Sequence, residues 1–380
     1  MAALVYLDHN ATTPVAPVVA EAVASAVRDT FGNPSSLHAA GQRARRALDD
    51  ARGAVAALIG AEPGEIVFTS GGTESDNLAV RGALEAAPAN RRRLLVGAVE
   101  HEAVLNTALA LQRGGRPVTI VPVSPEGVVP PEALSRHLGP DVALVSVMLA
   151  NNETGVVQPV AALAALAHAS GALFHTDAVQ AIGKVDVNVR ELGVDLLTLT
   201  AHKFGGPKGA GALWIRRGVP MAGVLAGGRQ ERNRRPGTEN VPAIVGLGVA
   251  ARLAAEDRVG PRAVRARRDR LEQGILGTIP RTAVNGGGAE RVPNTTNISF
   301  EGVEAESLLI ALDLEGIAVS TGSACSSGTL DPSHVLQAMR LPPSRAQSAI
   351  RFSLGPGTTD EEIHRVLEVL PRVVARVRRV

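Results

Sequence analysis

Lys203 stands directly after the apolar run "DLLTLTA" (195–201) and is one of only three lysines, with Lys184 and Lys208, among 39 basic residues. All the others are arginine. Arginine stays protonated in proteins and serves neither as a base nor as an imine-forming amine. A lysine kept against that drift points to amine chemistry. Four other stretches end an apolar run with groups able to assist it. "IVFTS" leads into Gly71-Gly72-Thr73-Glu74, where glycines let the backbone approach an anion and a helix start offers free N–H groups. "LFHT" leads to Asp177 and, three positions on, Gln180, so both fall on one side of a first helical turn. "VGAVE" leads to His101, and "VSVMLA" to Asn151, Asn152 and Glu153. Each has an ordinary reading alone: a helix cap, a charge favoured by the helix dipole, a loop histidine, a turn.

Together they make a different case. A phosphate cradle, a carboxylate suited to a pyridinium nitrogen, a flat imidazole able to stack and a strand-end lysine are what pyridoxal phosphate requires. The lysine carries it as a Schiff base and the aspartate keeps the ring an electron sink.

Such groups need a scaffold that gathers strand ends. Seven short Val/Leu-rich runs, at 65–70, 93–100, 116–123, 142–150, 172–178, 195–201 and 211–215, alternate with Ala-rich amphipathic stretches such as "VQPVAALAALAHAS" (157–170). Strands alternating with helices predict an α/β fold with a largely parallel sheet covered on both faces, whose ligands bind beyond the carboxyl ends of the strands. From about residue 256 the character changes, through the arginine-rich "RAVRARRDRLEQGIL" (262–276), "NTTNISF" (294–300) and a terminal helix over 359–377. We therefore expect a large domain over 15–255 and a smaller α+β domain over 256–380, joined by residues 1–14.

Composition narrows the function class. Charges nearly balance at +2, so the pI near 9.1 reflects arginine's high pKa and nucleic acid is not implied as a partner. The lack of any apolar run of 18 residues predicts no membrane span, and the N-terminal start does not read as a signal peptide; a cytoplasmic protein is expected. The single cysteine, Cys325, excludes an intramolecular disulfide and an all-cysteine metal site. No metal centre is expected. Cys325 lies in "TGSACSSG", among small residues between Gly322 and Gly328 rather than in an apolar run, which favours a reactive thiol over a buried filler.

With these residues in hand, the chain resembles the cysteine desulfurases, pyridoxal-phosphate enzymes of the class V aminotransferase group, in their NifS/IscS-like branch. The similarity runs along essentially the whole length, through "YLDHNATTP" (6–14), "IVFTSGGTESDNLA" (66–79), "NNETGVVQP" (151–159), "HTDAVQAIGK" (175–184), "AHKFGGPKGAGAL" (201–213), "RPGTENV" (235–241) and "VSTGSACSSGTLDPSHVL" (319–336). It implies pyridoxal-phosphate transferase fold type I, a homodimer, and conversion of L-cysteine to L-alanine with a persulfide on Cys325. That sulfur would pass to acceptor proteins such as an iron–sulfur scaffold, although the sequence lacks the further C-terminal segment on which IscS-type members dock theirs. The resemblance places Lys203 as the cofactor's lysine and proton carrier. Gly72, Thr73, Thr200 and His202 would lie at the phosphate, with Thr238 reaching it across the dimer. His101 would stack on the ring, Asp177 pair with its nitrogen, Gln180 bond its hydroxyl, and Asn152 and Arg351 hold the substrate carboxylate. Selenocysteine lyase and small amino-acid aminotransferase are the alternatives within the same fold. A non-catalytic sulfur-carrier platform is a third, opposed by the intact Lys203, Asp177, His101 and Arg351 set. No such requirement attaches to Lys208, read as a turn lysine.

Overall fold

A computed structural model describes residues 4–257, 259–322 and 333–378; Cys325 lies outside the described residues. All seven apolar runs form strands: β2 (Ile66–Thr69), β3 (Arg93–Gly97), β4 (Val118–Val121), β5 (Val142–Ser146), β6 (Leu173–Asp177), β7 (Leu196–Thr200) and β8 (Gly211–Ile215). They make one sheet in the order β2-β8-β7-β6-β5-β3-β4. β5, β7 and β8 are buried along their whole length, which explains why they read as continuous hydrophobic runs rather than alternating ones. Pairing is parallel from β4 to β7, while β8 runs antiparallel to both β7 and β2. The reversal has a simple cause. Only residues 201–210 separate β7 from β8, too few for a crossover helix, so the chain must turn back beside the strand it left.

Apolar clusters cover both faces of the sheet, one holding Leu48, Val55 and Phe174, the other Leu78, Val80 and Val104. Helices α1 (Pro17–Asp29), α2 (Ala39–Leu58), α3 (Gly72–Ala86) and α4 (Glu102–Arg113) supply much of that cover, with the later helix Val241–Glu256 packed on α1 and α2. A third cluster joins Val5 and Leu7 to Val264, Ile298, Phe352 and Ile363, around a sheet ordered β12 (Ala349–Ser353), β10 (Thr295–Phe300) and β9 (Thr282–Val284). The N-terminal strand β1 (Val5–Tyr6) pairs in parallel with β11 (Ile317–Ala318). Val335, Leu336 and Met339, by contrast, pack into the core of the seven-stranded sheet.

One loop is held open under strain. Glu231, Arg232 and Asn233 have φ of 43°, 59° and 63°, left-handed values that cost non-glycine residues about 1–3 kcal/mol each. Arg52 grips Glu231 with two hydrogen bonds of 2.7 and 2.8 Å, and Phe68 donates its N–H to the same carboxylate at 2.9 Å. Both charged side chains are buried, so breaking the pair would cost about 3–5 kcal/mol. The loop continues into Arg235, which reaches Glu74 in the first turn of α3 at 2.7 Å, and into Thr238.

Candidate active site

The carboxyl ends of the parallel strands bring the sequence-identified residues together. Asp177 is the last residue of β6, and Thr200 the last of β7, with Lys203 one short turn further on. Past β3, His101 caps α4, its Nδ1 accepting from the Ala103 N–H at 3.1 Å. Glycine makes the last approach possible: a Cβ on Gly211 would sit 2.7 Å from the Gly71 Cα, and one on Gly71 would be 3.8 Å from the Thr200 hydroxyl oxygen. The start of α3, with Gly72 and Thr73, therefore shares a corner with Thr200.

The clustered groups are electrostatically coupled. Burial first, then the facing Lys203, lowers the proton affinity of both His101 and His202, the latter to about 4. His202 Nδ1 lies 3.2 Å from the Thr12 hydroxyl. Burial pushes Asp177 up to about 6, opposed by the Val179 N–H at 2.8 Å and by Lys203. Asp177 is the tip of a buried acidic layer. Behind it Asp76 and Glu100 are raised well above the carboxylate range, by burial first and then by Asp177. Asp76 Oδ1 and Glu100 Oε2 have no hydrogen-bond partner among the described residues.

Opposite this layer the N-terminal segment ties the basic groups. Lys203 Nζ donates to the main-chain carbonyls of Asn10 and Ala11 at 2.6 and 2.8 Å. Gln180 Nε2 donates to the same Asn10 carbonyl at 2.9 Å. The Asn10 side chain accepts from Lys184 and Asn294 and donates to the Asn152 carbonyl and the Thr295 hydroxyl, all within 3.1 Å. One buried residue thus joins the seven-stranded sheet to the β10 side of the molecule.

Arg351 and Asn152 also meet. Arg351 Nη1 donates to the Asn152 carbonyl at 3.0 Å and its Nη2 to Asp8 Oδ1 at 2.6 Å. Asn152 Oδ1 and Arg351 Nε, both buried, have no hydrogen-bond partner among the described residues. Arg351 thus keeps a donor in reserve that a small carboxylate could use, whereas the Asn152 oxygen, an acceptor, could not. Thr238 lies exposed in the loop before Val241, and Lys208 is exposed too. Asp8, Asn10, Asp76 and Glu100 escaped the sequence reading, and Lys184 stood out there only as one of three lysines. "LDHN" carried the only signal for the first two, an unusually polar tetrad just after a strand.

This donor set fits pyridoxal phosphate: an amine, a buried carboxylate, an imidazole and a glycine-lined helix start converge on one place.

Comparison with known proteins agrees. A relative from Cereibacter sphaeroides named "Cysteine desulfurase" is 54% identical over 376 residues, 98% of this chain and 96% of its own. "Cysteine desulfurase IscS" of Methanosarcina thermophila is 47% identical over 98% of this chain and 93% of its own. A solved structure titled "NIFS-LIKE PROTEIN" superposes with a TM-score of 0.92 at 37% identity, covering 98% of this chain and all of that one. The family Aminotransferase class-V matches residues 5–366, from the strand that begins the N-terminal segment to the middle of the last helix, and the chain belongs to that family.

Proposed function

We propose that this chain is a pyridoxal-phosphate-dependent cysteine desulfurase that takes sulfur from L-cysteine onto Cys325 and leaves L-alanine. The observation that carries the reading is the convergence of Lys203, Asp177 and His101 at the carboxyl ends of β7, β6 and β3, with Arg351 and Asn152 facing them. Relatives with that name align over nearly the whole length.

Pyridoxal phosphate, when bound, supplies an electron sink for charge developing at the substrate Cα. The start of α3, with Gly72, Thr73, Thr200 and His202, would hold its phosphate. Asp177 would meet its ring nitrogen as a carboxylate, and His101, whose proton affinity burial and Lys203 lower, would lie against the ring. Arg351 and Asn152 take the substrate carboxylate; the planar fork of the guanidinium gives two parallel bonds that fix its orientation. Lys203 moves the proton at Cα, a task that needs an amine able to lose its own proton. The Cys325 thiolate then attacks the substrate sulfur. An S–S bond forms as the Cβ–S bond breaks, and the electron pair stays with the three-carbon skeleton, which takes up protons and leaves as alanine.

Within this reading two copies pair, so that Thr238 of one reaches the phosphate held by the other. Phe31 and Leu37, 76% and 91% exposed in this single chain, are apolar groups such pairing would cover. The persulfide is passed to acceptor proteins, an iron–sulfur scaffold among them, in the cytoplasm. No described helix is long and apolar enough to cross a membrane.

Incubating the pyridoxal-phosphate-loaded protein with L-cysteine and a reductant tests the reading. Equal amounts of alanine and sulfide are expected, with loss of both in Cys325→Ala. Full turnover in that variant would overturn the role of the thiol, and pyruvate in place of alanine would overturn the reaction.

A further inference from the structure

Two of the three lysines sit at the site, and the second has a use the chemistry above does not include. Lys184 follows β6 on a turn made by Gly183, whose φ of 73° and closeness to Phe204 Cβ, 3.2 Å from where its own Cβ would be, favour glycine there. That turn brings the Lys184 amine back beneath Gln180. Lys184 Nζ donates to Gln180 Oε1 at 2.6 Å and to Asn10 Oδ1 at 2.9 Å.

An amide side chain can rotate by half a turn and exchange its donor for its acceptor. Left alone, Gln180 could present either end toward Lys203. A lysine in contact with an amide oxygen removes the choice, because its ammonium carries donors only. With Oε1 held by Lys184, the Gln180 NH2 must face the other way, where it meets the Asn10 carbonyl that also receives the Lys203 amine. The same contact fixes Asn10, whose NH2 then points to the Asn152 carbonyl.

We propose that Lys184 is a positioning residue: it locks the Gln180 and Asn10 amides so that Gln180 offers a hydrogen-bond donor to the oxygen at the edge of the bound cofactor ring. The inference rests on the pyridoxal-phosphate reading above. Groups facing the two amines are His9, His101, Asp177, His202 and Arg351, the last paired with Asp8. Burial, with Lys203 and Arg351 adding to it, pushes Lys184's own affinity for a proton down. Losing the donor at the ring oxygen and losing positive charge beside Lys203 act in the same direction. Each makes the protonated form of the nitrogen that joins Lys203 to the cofactor easier to keep.

The test is a pH titration of the visible absorption band of the loaded protein, in wild type, Lys184→Met, Lys184→Gln, Lys184→Arg and Gln180→Ala. The midpoint should rise by about one pH unit in Lys184→Met and Lys184→Gln, and Lys184→Arg, still a donor, should recover at least half of that shift. In a Gln180→Ala background, Lys184→Met should add less than half of what it adds in wild type, since the two act through one contact. An unmoved midpoint in a folded, fully loaded Lys184→Met or Lys184→Gln protein overturns the inference, and so does full additivity with Gln180→Ala. Those failures leave the cofactor reading intact, whereas a wild type that develops no visible band with pyridoxal phosphate overturns both.

Discussion

On the sheet side of the site Asp177, Asp76 and Glu100 are buried together with little to compensate their charge, while on the side of the N-terminal segment Lys203, Lys184 and Arg351 are each held by oxygen acceptors from Asp8, Asn10 or Asn152. The two layers handle charge in opposite ways. The acidic layer is pushed toward holding protons: burial raises all three carboxyls, and the charge of Asp177 raises Asp76 and Glu100 further, while Asp177 itself, at about 6, stays a carboxylate at neutral pH. The basic layer distributes its charge into hydrogen bonds with carbonyls and one carboxylate. A ligand placed between them meets a proton-holding wall at one edge and a donor-rich wall at the other. That polarity suits a ring with a basic nitrogen on one side and a substrate carboxylate on the other.

Removing Lys203 should do most to break the basic layer. Lys203→Ala is expected to lose the visible band of the loaded protein and to slow alanine formation roughly a thousandfold or more; Lys184 and Lys208 should not replace it. Next comes Arg351→Lys. Losing the planar fork should raise KM for L-cysteine about 10–100-fold while the visible band stays, and an unchanged KM would remove Arg351 from substrate binding. On the acidic side the expected effects are smaller and depend on pH. Asp177 is raised from the carboxylate range to about 6, so the cofactor-free protein is fully stabilised below the ordinary carboxylate value and loses that stability as the pH rises through about 6. Asp177→Asn removes the dependence. The cofactor-free variant should therefore gain on wild type in thermal scans, by several degrees, between about pH 4 and pH 7, and a gap that does not change with pH would contradict the account. Smallest of all should be Asp76→Asn and Glu100→Gln. Burial and the charge of Asp177 push both residues toward the protonated form, so a neutral isostere should change the turnover rate less than about threefold, in contrast to Asp177→Asn, which should lower it far more.

The contrast also explains what could be read from the sequence. All seven strands of the large sheet were legible because strands buried on both faces are continuous apolar runs with polar punctuation, and the groups just beyond them, His101, Asp177, Thr200 and Lys203, could be found by position alone. The antiparallel course of β8 was not written in its "GALWI" run; it follows from the short 201–210 connection. Asn10 and Asp8 were illegible for a different reason. Asn10 gains its meaning from Lys184, 174 positions away, and Asp8 from Arg351, 343 positions away, and no local pattern announces such contacts. Lys184 was visible as one of three surviving lysines, but its partners lie one helical turn back and across the fold. Asp76 and Glu100 read as ordinary polar residues flanking a helix start and a strand, since burial of a carboxyl leaves no mark in sequence.

The central claim is that Lys203, and not another lysine, carries the cofactor between the two layers. Borohydride reduction of the loaded protein, followed by proteolysis and mass spectrometry, decides it, because reduction fixes pyridoxal phosphate to whichever lysine holds it. Three candidates exist in the whole sequence. We predict the label on the peptide containing Lys203 and none on Lys184; a label on Lys184 or Lys208 would contradict the account.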